Sequence, residues 1–252
     1  MLRAVLIDLG ETLVHLDRPW EDVFGANLAS LHSCLKEQGL NSDFERFANV
    51  FVSVFERASA TADFYKIEIP MQDIISQALR KLKFKVLGEE MMQRAITEFY
   101  TPELDAWQPF PDTLSTLGAL RDHGFEMGLV SNAKSDWAVH SILEKNGLDR
   151  YFRVVVTSAE MGIRKPRVEI FERALGMLGA KSAESAFLGD SLNADVIGAR
   201  IVGMRSIHVR RRPPVNNLAH ADATVSSLSE ALKQVMEWSA APLDPVSARS
   251  SL

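Results

Sequence analysis

Six polar residues stand where an apolar run ends or where the next helical segment is about to begin: Asp8, Ser131, Asn132, Lys165, Asp190 and Asp195. Singly, each has an ordinary explanation, such as a turn, a helix cap or an exposed lysine. Together they have a common chemistry, because a carboxylate can act as a nucleophile and carboxylates also bind Mg²⁺. A hydroxyl and a lysine can hold a phosphoryl group and offset its charge. The set therefore predicts phosphoryl transfer to a carboxylate.

Missing motifs, net charge and the length of the apolar runs argue against several other classes of protein. The chain has no GxxxxGK[ST] loop, HExxH motif or GxSxG elbow that would indicate a different chemistry. Its formal net charge of -5 does not favour nucleic acid or an anionic membrane surface as a partner. No apolar run approaches the ~18 residues of a membrane helix, and no signal-peptide pattern opens the chain. Cys34 is the only cysteine. We expect a soluble, cytoplasmic protein that acts on a small molecule, and the oligomeric state is not indicated.

The elements that must position these residues follow from the hydrophobic pattern. Residues 3–9 are predicted to form a buried strand, and from about residue 105 strands alternate with helices. This alternation predicts an α/β fold, a Rossmann-like parallel sheet with helices on both faces. Ligands bind at the carboxyl ends of the strands in such a sheet. The polar residues are expected to meet at that edge.

The stretch from about residue 16 to 104 contains only helical patterns. One helix carries apolar residues at helical spacing from Phe24 to Leu35, and the sequence SDFE at residues 42–45 predicts a capping box that opens the next helix. We predict a core domain of residues 1–15 and 105–239 and an inserted helical cap of residues 16–104. The Pro-, Ser- and Ala-rich residues 240–252 are predicted to be disordered.

The motifs and their order resemble those of the haloacid dehalogenase superfamily, in the branch whose helical cap follows the first motif. The resemblance covers residues 3 to about 210. It rests on four segments: DLGETL, which contains Asp8 and Thr12, VSN at 130–132, RKP at 164–166 and GDSLNAD at 189–195.

The resemblance implies a role for each residue. Asp8 would attack phosphorus, while Ser131, Asn132 and Lys165 would bind the phosphoryl group. Mg²⁺ would be held by Asp8, the backbone carbonyl of Gly10 and Asp190, with Thr12 and Asp195 in support. The implied enzyme is a Mg²⁺-dependent hydrolase, a phosphatase that acts on a small phosphorylated metabolite through an aspartyl-phosphate intermediate.

Gly10 departs from the pattern of the phosphatases in this group, which carry a second aspartate two residues after the nucleophile as the general acid and base. Glu11 is the nearest substitute, and His15 is a weaker candidate. Three interpretations are open. The protein is a phosphatase with altered acid/base chemistry, a 2-haloacid dehalogenase in which Asp8 displaces halide, or a member that binds a phosphorylated ligand or a partner without turnover.

Overall fold

The computed structural model describes residues 1–211 and 221–240. The strands are β1 (Ala4–Ile7), β2 (Val14–Leu16), β3 (Trp107–Pro109), β4 (Glu126–Ser131), β5 (Val154–Thr157), β6 (Ser185–Gly189), β7 (Arg205–Val209) and β8 (Ala223–Val225). The helices are α1 (Trp20–Glu37), α2 (Phe44–Tyr65), α3 (Met71–Lys81), α4 (Glu89–Ala106), α5 (Thr113–Asp122), α6 (Asp136–Lys145), α7 (Ser158–Met161), α8 (Val168–Leu178), α9 (Ile197–Val202) and α10 (Leu228–Ala240). The tail predicted to be disordered, residues 240–252, lies outside the described residues except for Ala240.

Six strands form one sheet in the order β5-β4-β1-β6-β7-β8, and every neighbouring pair is parallel. Strand β1 lies between β4 and β6, and all four of its residues are buried. Its last residue, Ile7, is in register with Leu129 on one side and Leu188 on the other. A strand covered on both faces by helices needs a continuous apolar run, which the sequence supplies. The predicted α/β fold is confirmed.

Helices α1 to α4 lie between β2 and β3 and pack around an apolar cluster of their own. Phe47, Phe51 and Phe99 are among its fully buried side chains. The predicted capping box at the start of α2 is wrong by one residue, since Asp43 is the N-cap and its carboxylate accepts a hydrogen bond from the backbone N–H of Arg46 at 2.8 Å. A charged oxygen is the stronger acceptor for an N-terminal amide, and this explains why aspartate takes the capping position from Ser42.

The helical insertion joins the rest of the chain through a two-stranded antiparallel ribbon that the hydrophobic pattern did not predict. Strands β2 and β3 have three residues each, and Leu16 pairs with Trp107. Beyond this pair, the N–H of Asp17 donates to the carbonyl of Ala106 at 2.9 Å. The chain therefore enters and leaves the helical insertion at adjacent points.

Candidate active site

The order of the strands explains why the predicted polar residues meet. Asp8 follows β1 directly, Ser131 ends β4, and Asp190 follows β6. Because β4, β1 and β6 are parallel neighbours, these three residues lie at the same edge of the sheet. Lys165 reaches that edge from the loop between α7 and α8.

Lys165 is the cation at the centre of the cluster, and its side chain is only 2% exposed. Its Nζ lies 2.7 Å from Oδ1 of Asp8, 2.7 Å from Oδ1 of Asp195 and 2.7 Å from the carbonyl oxygen of Val130. Burial alone would lower the pKa of Lys165, but the two carboxylates reverse that effect and raise it. Lys165 is therefore held as a fixed positive charge beside Asp8.

The other oxygen of Asp8 is also held. The hydroxyl of Thr12 donates to Oδ2 of Asp8 at 3.1 Å, and Thr12 is fully buried. With Lys165 on Oδ1 and Thr12 on Oδ2, the carboxylate has a fixed orientation at the end of β1. A carboxylate whose rotamer is fixed in this way needs little reorganisation before it reacts.

Asn132 binds the backbone of Lys165 at both ends of its side-chain amide. Its Oδ1 accepts from the N–H of Lys165 at 2.9 Å, and its Nδ2 donates to the carbonyl of Lys165 at 3.2 Å. The side chain of Asn132 thus positions the loop that carries the lysine. The phosphate contact of Asn132 stays a prediction.

Three carboxylates, those of Asp8, Asp190 and Asp195, offer oxygen atoms that all lie within 4.8 Å of one another. Burial and then the charges of Asp8 and Asp195 raise the pKa of Asp190 to about 7. Burial first, with Asp8 adding to it, raises the pKa of Asp195 to about 6 despite the nearby lysine. Lys165 offsets only one of the three negative charges. A donor set made of oxygen with excess negative charge fits a hard divalent cation such as Mg²⁺.

Two neighbours fix the backbone of Asp190 and the carboxylate of Asp195, on the β6 side of the site. His208 on β7 donates from Nε2 to the backbone carbonyl of Asp190 at 2.9 Å, and the N–H of Ser191 donates to Oδ2 of Asp195 at 2.9 Å. A Cβ at Gly189 would lie 2.3 Å from that same carboxylate oxygen. Only glycine at this position leaves Asp195 the room to reach Lys165.

At Gly10 the nearest neighbouring side chain is the indole ring of Trp107. A Cβ at Gly10 would lie 3.5 Å from Cη2 of Trp107, which is an ordinary van der Waals distance. The ring is itself held, because Nε1 of Trp107 donates to Oε1 of Glu103 at 3.1 Å and Nδ2 of Asn27 donates to Oε2 at 3.0 Å. Burial raises the pKa of Glu103. An aromatic ring from the ribbon therefore lies beside Gly10, the position at which the resemblance implies a second aspartate in phosphatases.

The two substitutes considered for that aspartate lie elsewhere. Glu11 adopts a left-handed backbone with φ of 56°, and its N–H donates to the carbonyl of Val14 at 2.7 Å. Its neighbours Leu9 and Gly10 line the cavity at the sheet edge, whereas Glu11 is not among the described residues that do so. His15 stacks on Phe110 with ring centroids 4.7 Å apart.

A cavity of about 710 Å³ lies over the polar cluster, between the sheet edge and the helical insertion. Its floor contains Asp8, Ser131 and Lys165, and its walls include Phe55 and Trp107. The hydrophobic pattern did not single out the wall residues, because aromatic residues at helical spacing are equally typical of a packed core. The volume suits a small organic molecule.

The family to which the chain belongs agrees with this arrangement of Asp8, Lys165 and the acidic cluster. Residues 2–203 match the model of the haloacid dehalogenase-like hydrolases. The chain belongs to this family. It is a hydrolase, and relatives with named activities are phosphatases, so the resemblance seen in the motifs is confirmed.

Two curated relatives match most of this hydrolase. The glyceraldehyde 3-phosphate phosphatase of Methanocaldococcus jannaschii is 24% identical over 232 residues, which cover 91% of this chain and 95% of the relative. The ribulose-1,5-bisphosphate 5-phosphatase of Halopiger xanaduensis is 26% identical over 214 residues, which cover 82% and 84% of the two chains.

A solved structure shows the same fold. The 2-haloacid dehalogenase of Pseudomonas syringae pv. tomato superposes with a TM-score of 0.70 at 22% identity, over 94% of this hydrolase and 100% of that chain. At this identity the likeness concerns the fold alone. Within the part of the chain that the structure describes, no helix is long and apolar enough to cross a membrane.

Proposed function

We propose that this hydrolase is a Mg²⁺-dependent phosphatase that acts on a small phosphorylated metabolite through an aspartyl-phosphate at Asp8. The observation that supports this most directly is the joint placement of Asp8, Lys165 and the three-carboxylate cluster at the floor of one cavity. Its two long relatives act on phosphorylated sugars by name. The helical insertion serves as the cap that closes the cavity, and the cytoplasmic location stays a prediction.

In the first step, an oxygen of Asp8 attacks phosphorus and the ester oxygen of the substrate leaves. Lys165 already lies 2.7 Å from Oδ1 of Asp8, so its charge can offset the negative charge of the transferring phosphoryl group. The hydroxyl of Ser131, on the neighbouring strand, donates to a phosphoryl oxygen. Water then attacks the aspartyl-phosphate and releases phosphate, which restores Asp8.

The metal ligands in this proposal are Asp8, Asp190 and the backbone carbonyl of Gly10. Mg²⁺ supplies a positive charge that neutralises the phosphate and the acidic cluster. Asp195 holds Lys165 by the ion pair of 2.7 Å, which keeps the lysine directed toward the nucleophile. Thr12 keeps Asp8 in its rotamer.

Proton transfer is the step for which this chain differs from its group. With Gly10 under the ring of Trp107, no carboxylate of residue 10 can protonate the leaving oxygen. General acid catalysis is worth about 10²–10⁴ in rate. Substrates whose leaving groups are weak bases, such as anomeric, acyl or aryl phosphates, should therefore be favoured over alkyl phosphates.

The dehalogenase remains the second candidate because halide leaves from carbon without protonation, and Gly10 would be no handicap. The acidic cluster argues against it. A dehalogenase of this group needs no metal. Burial and neighbouring negative charge raise the pKa of Asp190 to about 7, so a bound cation would stabilise its carboxylate. Hydrolysis of phosphate esters explains both the lysine and the carboxylates.

A panel of phosphate esters, assayed for released phosphate with Mg²⁺ or with EDTA, tests the proposal. We expect Mg²⁺-dependent turnover that Asp8→Asn abolishes, because an amide of the same shape is a poor nucleophile. Exposed Asp122→Asn serves as the matched control and should have wild-type activity. Chloride release from 2-chloropropionate without phosphatase activity would favour the dehalogenase instead.

A further inference from the structure

A second polar cluster lies in the cavity wall, where a loop of the helical insertion meets two loops of the sheet edge. The N–H of Met71 donates to the carbonyl of Lys134 at 2.9 Å, and the N–H of Arg164 donates to the carbonyl of Lys66 at 3.1 Å. Lys134 and Arg164 both line the cavity, and their side chains are only 13% and 18% exposed. Two nearly buried cations thus face the space above Asp8.

The carboxylate beside these cations is already satisfied by other donors. Glu68, whose side chain is 1% exposed, accepts from the hydroxyl of Ser158 at 2.6 Å and from the N–H of Ile69 at 3.1 Å. Lys134 and Arg164 approach Glu68 only to 3.5 and 3.6 Å. Direct charge-assisted hydrogen bonds measure about 2.7–2.9 Å. Glu68 therefore holds the two cations in place at a distance.

The charges of this cluster do not cancel. Two cations face one buried carboxylate, Glu68, and a second carboxylate, Asp63, which also lines the cavity and lies 3.4 Å from Arg164 but is 68% exposed. An ion pair with so exposed a partner contributes little. Lysine has three donors and arginine five, so most of their hydrogen-bonding capacity remains for a ligand. Burial lowers the pKa of Lys134, the charge of Glu68 partly opposes this effect, and Arg164 adds to it.

The position of Lys134 limits the size of the ligand. Ser131, proposed to bind the phosphoryl group, precedes Lys134 by three residues, and three residues span at most about 10 Å. Arg164 is the immediate neighbour of Lys165. Nζ of Lys134 also lies 5.4 Å from the ring centroid of Phe55, which packs beside it in the cavity wall. Each cation is thus carried by a loop that also carries a residue proposed to bind the phosphoryl group, so a second anion on a small substrate would meet both cations.

We propose that Lys134 and Arg164 form a subsite for a second anionic group of the substrate, so that this hydrolase prefers small phosphate monoesters carrying a carboxylate or another phosphate. This inference rests on the proposed phosphatase function and adds the substrate class. Glu68 acts as the positioning residue that brings the cap loop to the two cations. Both cations of the subsite lie on loops of the sheet edge, and the cap loop contributes the carboxylate between them.

Two substrate pairs test the subsite. 3-Phosphoglycerate differs from glycerol 3-phosphate by a carboxylate in place of a hydroxymethyl group, and fructose 1,6-bisphosphate differs from fructose 6-phosphate by a second phosphate. The measured quantity is the ratio of kcat/KM within each pair. We expect a wild-type ratio of at least about tenfold for the member with the second anion, in line with the worth of a charge-assisted hydrogen bond. The pair with the larger ratio identifies the kind of anion.

Lys134→Met keeps the length of the side chain and removes its charge, and it should lower that ratio about tenfold or more. Lys134→Arg should retain it, and so should Lys181→Met, an exposed lysine outside the cavity. If Lys134→Met lowers the melting temperature but leaves the ratio unchanged, the cation only neutralises Glu68 and the inference is overturned. A wild-type ratio near one in both pairs would overturn it as well.

The same probes separate this inference from the proposed function. If no ester is hydrolysed, the phosphatase proposal fails, but calorimetric titration of 3-phosphoglycerate and glycerol 3-phosphate into the wild type and Lys134→Met still measures the subsite. Tighter binding of the acid that is lost in Lys134→Met would support the subsite. Equal binding of both compounds would reject it.

Discussion

Raising the pH from about 4 to 7 should destabilise the metal-free protein, and saturating Mg²⁺ should remove much of this effect. The cause is the acidic cluster, in which burial and neighbouring charge raise the pKa of Asp190 from 3.8 to about 7 and that of Asp195 from 3.8 to about 6. A carboxyl with a raised pKa binds its proton more tightly when folded. Its contribution to stability is complete below the unfolded pKa and is lost as the pH rises to the folded value.

The size of the effect follows from the shift. For Asp190 it is about three pKa units, and each unit corresponds to about 1.36 kcal/mol, which gives about 4 kcal/mol. Asp195 alone would give about 3 kcal/mol, but the two carboxyls share neighbours and their effects do not add. A loss of about 4 kcal/mol is a large part of the 5–15 kcal/mol typical of a folded domain. Bound Mg²⁺ at about 100 times its Kd restores about 2.7 kcal/mol.

Urea denaturation at pH 4 and pH 7.5, in EDTA and in Mg²⁺, measures the free energy of unfolding under the four conditions. Asp190→Asn is the informative variant, since an amide cannot titrate and should flatten the pH dependence in EDTA. Asp122→Asn, exposed on α5, is the control and should behave as the wild type does. If the wild type in EDTA is equally stable at both pH values, the buried carboxylates do not repel one another enough to destabilise the fold. The reasoning for a cation site then fails.

Three further outcomes are expected. Gly10→Asp should raise turnover of alkyl phosphates more than that of aryl phosphates, by up to about 10²–10⁴, and Gly10→Ala should not; equal gains on both esters in steady-state assays would contradict the proton-transfer argument. Gly189→Ala should lower kcat and the melting temperature together, because its methyl group must displace the carboxylate of Asp195. The control Gly118→Ala, inside α5 with open space around it, should leave kcat unchanged and should raise the melting temperature slightly, because alanine favours a helix. Glu103→Gln should keep the melting temperature at neutral pH. The side-chain amide of Asn27 can rotate so that its unpartnered Oδ1 accepts a hydrogen bond from the new glutamine amide. Glu103→Leu can form no such bond and should lower the melting temperature by several degrees.

The sequence predicted the sheet and its polar edge well for a physical reason. Long apolar runs that alternate with helical patterns leave few topologies open, and parallel strands bring their carboxyl ends together. The placement of Asp8, Ser131 and Asp190 follows from strand order alone. The position of Lys165 needed the fold, because its loop is held by Asn132 through contacts 33 residues apart in the chain.

What the sequence could not predict depends on contacts between distant segments. Strands β2 and β3 are too short to show a period, and the ring of Trp107 reaches Gly10 only through their pairing. Lys134 and Arg164 likewise lie beside Glu68 only because the loop that carries this carboxylate packs against the sheet edge. No local pattern distinguishes such residues from solvated charges or ordinary core aromatics.

The adjacency of the two ends of the helical insertion has a consequence for how such enzymes diversify. The backbones of Asp17 and Ala106 are joined by a hydrogen bond of 2.9 Å. If the residues between them were removed, the two chain ends left behind would therefore lie next to each other. A short linker would bridge them with little loss of chain entropy. We therefore expect that a different insertion could be grafted at this junction with the order of the sheet strands unchanged. New substrate preferences can arise by exchanging the insertion while the reaction machinery is inherited unchanged.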